Sequence, residues 1–310
     1  MAMTVEFRPK QARKPQQRTL PLMAAIGAIA EEYERMTIRQ LYYQLVSRRV
    51  IEKTEAEYKR VCDISAQMRI AGTLPYGKIA DGNRQRRRVA QWDGPADLLE
   101  TATKQYRKDR WQTQEEIVEV WCEKDALSGV LLPVCEEWGV TYVATRGNPS
   151  MTLIYESAAY LDSCDQWPTI LYVGDHDASG RGISDRLGEQ FHQHTQYMTV
   201  ERIALEPEQI EEYSLPTRPG KKSDMQYQKF ADAFGDASVE VDALPPDVLT
   251  EIVENAIVAH IDLDKWDMAG YAERAEKQSL IDFTANLSAL GIDPSTEILR
   301  TSPKKGLNDG

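Results

Sequence analysis

The sequence has no long hydrophobic run. No apolar stretch approaches the roughly 18 consecutive residues that a membrane span requires. The first residues, MAMTVEFRPKQARKPQQR, contain no apolar segment of the kind found in signal peptides. These absences predict a cytoplasmic protein without a membrane partner. Hydrophobic residues make up 42% of the 310 positions, which is enough for two domains with packed cores.

Cysteine is scarce and shows no paired spacing. The chain has four cysteines and no CxxC motif, so neither a zinc centre nor a disulfide framework is indicated. We expect reduced thiols, mostly buried, with no role in chemistry. The four are Cys62, Cys122, Cys135 and Cys164.

Acidic residues outnumber basic residues, but the two are distributed unevenly along the chain. The net charge is -12, which by itself argues against a nucleic-acid partner. Residues 1–110 nevertheless hold 22 Lys and Arg against 13 Asp and Glu, while the rest of the chain holds 15 against 36. A basic front and an acidic back predict that the front contacts phosphate and the back holds cations or keeps the chain in solution.

Residues 1–110 predict a basic arm followed by a small helical module. Residues 1–18 are rich in basic residues, Pro and Gln, which predicts a basic flexible arm, with a plain disordered tail as the alternative. Helical patterns follow at 20–34, 37–51 and 55–72, with Thr37 as a cap, and short extended segments follow at 74–92. Three helices and a hairpin predict a winged-helix domain over 19–110, with a plain helical bundle as the alternative.

The middle of the chain alternates between strand and helix patterns. Strands are predicted at IVEVWC, VTYVAT, TILYVG and YMTVERIAL, with helical stretches between the first three pairs. This alternation predicts an α/β domain over 111–215, with a mostly parallel sheet flanked by helices. Residues 216–310 are predicted to form a C-terminal extension that completes this domain.

Three acidic residues follow two of these strands. Asp175 and Asp177 come directly after TILYVG, and alternate side chains of an extended chain point to the same side. Glu123 comes directly after IVEVWC, and the carboxyl ends of parallel strands share one edge of the sheet. We therefore expect the three carboxylates to hold a hard divalent cation such as Mg²⁺. The alternative is that these acids cap the helix beginning near Ala178, and His176 is expected to pack or face solvent.

The predicted second helix, TIRQLYYQLV, places its two adjacent tyrosines on different faces. Apolar positions at helical spacing predict a buried stripe of Ile38, Leu41, Tyr42 and Leu45. Tyr43 is expected on the exposed face with Arg39 and Ser47, one turn away on either side. A tyrosine beside a guanidinium suits a nucleophile, because the positive charge favours the phenolate and can also hold a phosphate.

Together these motifs resemble a known family. Thr37, Arg39, Tyr42 and Tyr43 are similar to the catalytic motif of the topoisomerase VI A subunit and its meiotic double-strand-break relatives. WCEKDAL and GDHDASGRGI look like the two acidic motifs of the family's Toprim domain, in the same order. The resemblance spans roughly 37–215 and, more weakly, SVEVDAL. The chain most resembles a short, stand-alone member of the Mini-A type.

The resemblance implies a winged-helix (CAP-like) domain followed by a Toprim domain, and Mg²⁺-dependent breakage of double-stranded DNA. Tyr43 would attack a backbone phosphate and form a 5′-phosphotyrosyl link, with Arg39 steadying the phosphate. Glu123, Asp175 and Asp177 would hold Mg²⁺, with Mn²⁺ as a substitute, and Glu123 would also take part in catalysis. The family implies a homodimer in which the tyrosine of one chain faces the acids of the other, and leaves open a separate ATPase subunit.

A cluster of basic residues and a pair of acidic residues can each be interpreted in two ways. Four closely spaced arginines, together with Lys124, are predicted to bind backbone phosphates, although a solvated loop and a lysine that neutralises nearby acids are the alternatives. Glu240 and Asp242 share a face if extended, and either assist a second metal ion or belong to a solvated strand or helix cap. The arginines are Arg84, Arg86, Arg87 and Arg88.

Two other functions compete with covalent cleavage. A metal-dependent nuclease would activate water with the three acids and leave Tyr43 incidental. A non-catalytic DNA-binding subunit would bind DNA without breaking it. A primase is disfavoured because no zinc-ligand cluster precedes the acidic motifs.

Overall fold

A computed structural model of the chain describes residues 19–80, 89–195 and 197–289. Its internal contacts divide the chain into two compact units. Of the described residues, the first unit contains 19–80 and 115–260, and the second contains 89–114 and 261–289. This division differs from the domain boundaries predicted at 110 and 215, because it groups the N-terminal helices with the central sheet.

Three packed helices begin the first unit: α1 (Leu20–Glu32), α2 (Ile38–Ser47) and α3 (Glu55–Ile70). Thr37 caps α2 as predicted. Its hydroxyl accepts a hydrogen bond from the Gln40 N–H at 3.0 Å, and the Gln40 side-chain oxygen accepts one from the Thr37 N–H at 2.9 Å. This reciprocal pair satisfies donors that would otherwise be exposed at the helix start, so the beginning of α2 is fixed by its own sequence.

The predicted winged-helix domain is not confirmed. The three helices are present, but in the described part of the predicted hairpin, Tyr76–Lys78 forms a 3₁₀ turn, and Ile79 pairs with Met36 in an isolated parallel bridge. Residues 81–88, at the centre of the predicted hairpin, lie outside the described residues. The helix predicted after the hairpin is present as α4 (Pro95–Gln105), and it belongs to the second unit.

The predicted parallel sheet is confirmed. Its strands lie in the order β2-β1-β3-β4, and every neighbouring pair is parallel. Cys122 at the end of β1 is paired with Val173 at the end of β3, so the residues that follow these two strands emerge side by side. The strands are β1 (Glu116–Cys122), β2 (Thr141–Ala144), β3 (Trp167–Val173) and β4 (Thr199–Ala204).

Helices flank this sheet. The connecting helices α6 and α7 bury apolar residues against Trp121, Ile170 and Tyr172 of the central strands. Helices α5 and α10 pack against each other, and contact β2 and β4 respectively. The helices are α5 (Ser128–Glu137), α6 (Met151–Asp162), α7 (Ala178–Phe191) and α10 (Pro246–Ala259). Burial of both sheet faces explains why most positions of the central strands β1 and β3 are apolar.

The chain between β4 and α10 returns to the carboxyl edge of the sheet. After α8 (Pro207–Glu212), the strands β5 (Arg218–Pro219) and β6 (Ala237–Ser238) form a short antiparallel pair, with α9 (Tyr227–Phe234) between them. The next residue, Val239, exchanges two backbone hydrogen bonds of 2.9 Å with His176. The segment after β6 is thereby fixed beside the loop that follows β3.

The second unit pairs α4 with α11 (Leu263–Ala289). Trp111 and Trp266 meet edge to face at 5.6 Å, and Arg110 lies over the Trp266 ring while pairing with Glu273 at 2.9 Å. Residues 261–289 therefore belong with this unit and not with the sheet. Within the described ranges, no helix has both the length and the apolar character needed to cross a membrane.

Candidate functional site

The three predicted acids meet at the carboxyl edge of the sheet. Glu123 follows β1, and Asp175 and Asp177 follow the neighbouring strand β3. A Glu123 carboxylate oxygen accepts a hydrogen bond from the Asp175 N–H at 3.1 Å. The fold therefore brings the three residues to one place, as the sequence predicts for parallel strands.

Asp177 caps α7. One of its oxygens accepts a hydrogen bond from the Gly180 N–H at 2.8 Å, and the other lies 3.7 Å from an Arg218 nitrogen. The capping alternative is thus correct for one oxygen of this residue. The second oxygen remains directed towards a cation.

Asp175 is buried and held from two sides. Its Oδ1 atom accepts hydrogen bonds from the Val241 N–H and from the Lys124 ammonium, both at 2.9 Å. Burial raises the pKa of Asp175, and the adjacent Lys124 opposes that rise. The bond to Val241 connects the loop after β3 to the segment after β6.

Lys124 is turned towards carboxylates. Besides Asp175, its ammonium lies 2.6 Å from Asp242 and 3.4 Å from Glu240. Burial lowers the pKa of Lys124, but these three acids outweigh that effect and raise it. Of the two interpretations of this residue, the described geometry matches neutralisation of nearby acids, since the ammonium is engaged on three sides.

Glu123 carries charge that no described ion pair neutralises. Burial, followed by the proximity of Asp175, raises the pKa of Glu123 to about 7. Its carboxyl group therefore keeps its proton to a higher pH than an exposed glutamate does. An oxygen-rich site with this surplus of negative charge suits Mg²⁺ by its donor chemistry.

The side-chain positions do not by themselves form a metal-ligand set. In residues 19–80, 89–195 and 197–289, no group of three His, Cys, Asp or Glu side chains is close enough to hold a metal ion. Part of the space among the acids is taken by the Lys124 ammonium. The donor types thus fit a hard cation, while the arrangement is one in which a lysine supplies the positive charge.

Two features fix the loop that carries Asp175 and Asp177. A Cβ atom at Gly180 would clash with the Asp175 carbonyl oxygen, so the close approach of α7 requires glycine here. The buried guanidinium of Arg202 donates to the carbonyl oxygens of Gly174 at 2.8 Å and Asp175 at 2.6 Å. These contacts hold the loop backbone against the sheet edge.

His176 is a packing residue, as expected. It is 3% exposed and lies edge to face against Phe230 and Phe234. Burial, followed by the nearby charge of Arg181, lowers its pKa to about 4. A neutral imidazole wedged between two aromatic rings anchors the middle of the loop without facing the acids.

Tyr43 is buried, and the prediction that it lies on an exposed face is wrong. The residue is only 3% exposed, because the turn Val241–Ala243 covers this face of α2. Burial and then the nearby charge of Glu240 raise its pKa, while Lys124 and Arg39 act in the opposite direction. The helical pattern of α2 predicts the face that packs on the other N-terminal helices. It does not predict the second face, which the distant turn Val241–Ala243 covers.

Arg39 and Arg218 connect this tyrosine to the acidic residues. Arg39 pairs with one oxygen of Glu240 at 2.6 Å, and Arg218 pairs with the other at 2.8 Å. Tyr43 and Arg39 therefore lie beside the acidic site of their own chain. No second copy is needed to bring the tyrosine motif and the acids together.

Sequence reasoning missed the importance of Glu240 and Asp242. The expectation of a solvated strand or helix cap is wrong, since these residues are 7% and 0% exposed and both contact Lys124. The signal was the alternation of acidic and apolar residues in SVEVDAL, which places two acids on one side of an extended segment. The predicted DNA contacts Arg84, Arg86, Arg87 and Arg88 lie outside the described residues.

Comparison with known proteins does not assign a family. No model of a known protein family matches the chain, and no curated protein matches it. Function is therefore inferred from the residues of the site and their geometry.

Proposed function

We propose that this protein is a Mg²⁺-dependent DNA-cleaving enzyme of the topoisomerase VI A type, in which Tyr43 becomes linked to the 5′ end of the broken strand. The observation that carries the proposal is the meeting of two motifs that are distant in sequence. Arg39 and Tyr43 of α2 lie against Glu240 and Lys124, in the same site as the acids that follow β1 and β3.

The sheet supports this proposal. A parallel sheet with Glu123 after one strand and Asp175 and Asp177 after its neighbour is the arrangement expected of a Toprim domain. The resemblance at the tyrosine motif and at both acidic motifs, in the same order along the chain, adds independent support. A winged-helix form of the N-terminal helices belongs to the same proposal.

The reaction would be a transesterification. The Tyr43 hydroxyl oxygen forms a bond to phosphorus, the bond from phosphorus to the 3′ oxygen breaks, and that oxygen leaves as a hydroxyl after gaining a proton. One phosphodiester replaces another, so no external energy source is required. The Glu123 carboxyl, with a pKa of about 7, is suited to supply or accept a proton at neutral pH.

Mg²⁺ or Mn²⁺ bound by Glu123, Asp175 and Asp177 would supply positive charge for the reacting phosphate. Arg39, from the side of α2, would hold a non-bridging oxygen of the same phosphate. Lys124 would have to release at least one of its carboxylate partners before these acids share a cation.

One observation favours a second candidate, hydrolysis by metal-activated water. Tyr43 is buried and its pKa is raised, so forming the phenolate is unfavourable in the conformation described. A nuclease that activates water with the acidic residues would not use this hydroxyl at all. The two candidates share the acids and differ only in the nucleophile.

The deciding experiment uses duplex DNA labelled at its 3′ ends or internally, incubated with purified protein and either Mg²⁺ or EDTA. After denaturation and protease digestion, covalent cleavage leaves a peptide on new 5′ ends. Tyr43→Phe should abolish both the breaks and the peptide adduct. Tyr42→Phe is the matched control, because the Tyr42 hydroxyl is already engaged by the Thr54 carbonyl oxygen, to which it donates at 3.2 Å.

Each alternative gives a distinct result. Breaks that persist in Tyr43→Phe and carry no peptide would establish hydrolysis. DNA binding without any break in the wild-type protein, unchanged by Asp177→Asn, would identify a non-catalytic subunit and overturn the proposal.

A further inference from the structure

Glu240 is surrounded by cations. Arg39 and Arg218 each hold one of its two carboxylate oxygens, at 2.6 and 2.8 Å, and the Lys124 ammonium approaches from the inner side at 3.4 Å. A single carboxylate bound between two guanidinium groups, one on each oxygen, is bound as a phosphate group would be.

A further cation adjoins this group. The Lys53 ammonium donates to the Pro216 carbonyl oxygen at 2.9 Å and lies 5.2 Å from the centre of the Tyr43 ring. It forms no ion pair with a carboxylate among the residues that the structure describes. Three cations, Arg39, Lys53 and Arg218, therefore adjoin Glu240, and Asp177 also contacts one of them, at 3.7 Å from Arg218.

The cations and the carboxylate differ in exposure. The side chains of Arg39 and Arg218 are 42% and 33% exposed, whereas that of Glu240 is 9% exposed. An anion arriving from solvent would meet the two arginines first. Glu240 would then have to withdraw for the anion to reach the same nitrogens.

We propose that Arg39, Lys53 and Arg218 form a cradle for a phosphate anion, and that Glu240 occupies this cradle as an internal substitute when no ligand is bound. The two non-bridging oxygens of a phosphodiester would replace the two carboxylate oxygens. The choice of a DNA phosphodiester as ligand rests on the proposed function, whereas the cradle itself requires only phosphate chemistry. Inorganic phosphate presents the same oxygens and is the other source of such a ligand.

A purely structural ion pair is the competing explanation. On that view, Glu240 fastens α2 to the segment after β6, and its neutralisation would loosen the arginines. The two explanations predict opposite changes in affinity for phosphate when the carboxylate is removed.

The test is Glu240→Gln, measured by fluorescence anisotropy with a labelled duplex in EDTA at constant ionic strength. We expect the variant to bind the duplex about threefold more tightly than the wild type, because one competing charge pair is removed. Arg218→Gln in the same chain should cancel the gain. Glu32→Gln is the matched control, since Glu32 pairs with Arg48 at 2.7 Å and with none of the three cradle cations, and it should leave affinity unchanged.

A second arm distinguishes the two ligand sources. If the cradle takes DNA, inorganic phosphate at constant ionic strength should compete only weakly with the duplex. If phosphate alone raises the melting temperature of Glu240→Gln while duplex affinity is unchanged, the cradle binds free phosphate. A folded Glu240→Gln variant that binds neither duplex nor phosphate more tightly would overturn the inference.

A further variant covers failure of Glu240→Gln to fold. Arg218→Gln alone should weaken duplex binding about threefold, and Arg48→Gln, which removes an arginine paired with Glu32 at 2.7 Å and with none of the cradle residues, should not. Unchanged binding in Arg218→Gln would equally reject the cradle. Because binding is measured without a divalent cation, a failure of DNA cleavage would leave these results intact.

Discussion

Two consecutive side chains, Glu123 and Lys124, set the charge of the site in opposite ways. Lys124 points inward and neutralises part of the charge on Asp175, Glu240 and Asp242. Glu123 gains no such partner, and burial beside Asp175 raises its pKa to about 7. Glu123 is therefore the carboxyl group whose charge responds most directly to a cation or a change in pH near neutrality.

The raised pKa of Glu123 predicts a loss of stability as pH increases. Between pH 4.5, the ordinary pKa of a glutamate, and about pH 7, the folded protein keeps a proton that the unfolded chain has released. The free energy of unfolding therefore falls as pH rises through this window. The fall is at most about 1.4 kcal/mol per pH unit across that window. Glu123→Gln should remove this contribution and raise stability above pH 7 relative to the wild type.

Urea unfolding at several pH values between about 5 and 8, without divalent cations, measures this effect. Glu137→Gln, which replaces an exposed carboxylate on α5, serves as the control. Equal pH dependence in the wild type and in Glu123→Gln would show that Glu123 ionises normally.

Among the secondary structure elements, α7 offers the most direct test of how the acidic loop is positioned. Gly180→Ala should displace the Asp175 backbone, because the added Cβ atom would clash with its carbonyl oxygen. Gly188→Ala in the same helix is the control. There the Cβ would lie 3.9 Å from a Val200 methyl group, so alanine is accommodated and should stabilise the helix by about 0.5–1 kcal/mol.

We therefore expect opposite signs from the two substitutions in thermal unfolding, with a lower melting temperature for Gly180→Ala and a higher one for Gly188→Ala. DNA cleavage should be lost in the first variant and kept in the second. A Gly180→Ala protein with wild-type stability and activity would mean that the close approach of α7 has no role in the site.

The elements that could be predicted from sequence are those defined by local patterns. Strands β1 and β3 end in the apolar residues 120–122 and 170–173, acids follow both strands within two residues, and parallel pairing then places Glu123 near Asp175. The Thr37 cap of α2 could also be predicted from sequence, because its partner Gln40 is only three residues away.

What could not be predicted depends on contacts between distant segments. The amphipathic pattern of α2 predicts one buried face, but Tyr43 is buried by residues near 241, which the pattern of α2 cannot reveal. Glu240 and Asp242 join the site only because Val239 pairs with His176. Nothing in the local sequence indicates that pairing.

In the whole molecule, the tyrosine motif and the acidic segment of the same chain are in contact. The resemblance to topoisomerase VI A subunits implies a different arrangement, in which the two halves come from different chains of a homodimer. Here Arg39 is already paired with Glu240 of its own chain at 2.6 Å. If the proposed cleavage is correct, this contact favours a site formed within one chain.

Mixing two inactive variants distinguishes these arrangements. Tyr43→Phe keeps the acids, and Asp177→Asn keeps the tyrosine. If each site is formed within one chain, the mixture should cleave no DNA, because every site lacks one group. Recovery of cleavage in the mixture, after allowing subunits to exchange, would show that the sites are shared between chains.

The backbone pairing of His176 with Val239 has a consequence for how the proposed cleavage would be controlled. The segment that carries Glu240 also supplies the backbone partner of the loop carrying Asp175 and Asp177. If Glu240 withdraws when a nucleic-acid backbone enters, that movement pulls directly on the loop. The positions of Asp175 and Asp177 would then depend on whether a nucleic-acid backbone is bound. Without that backbone, Glu240 would keep the arginines occupied.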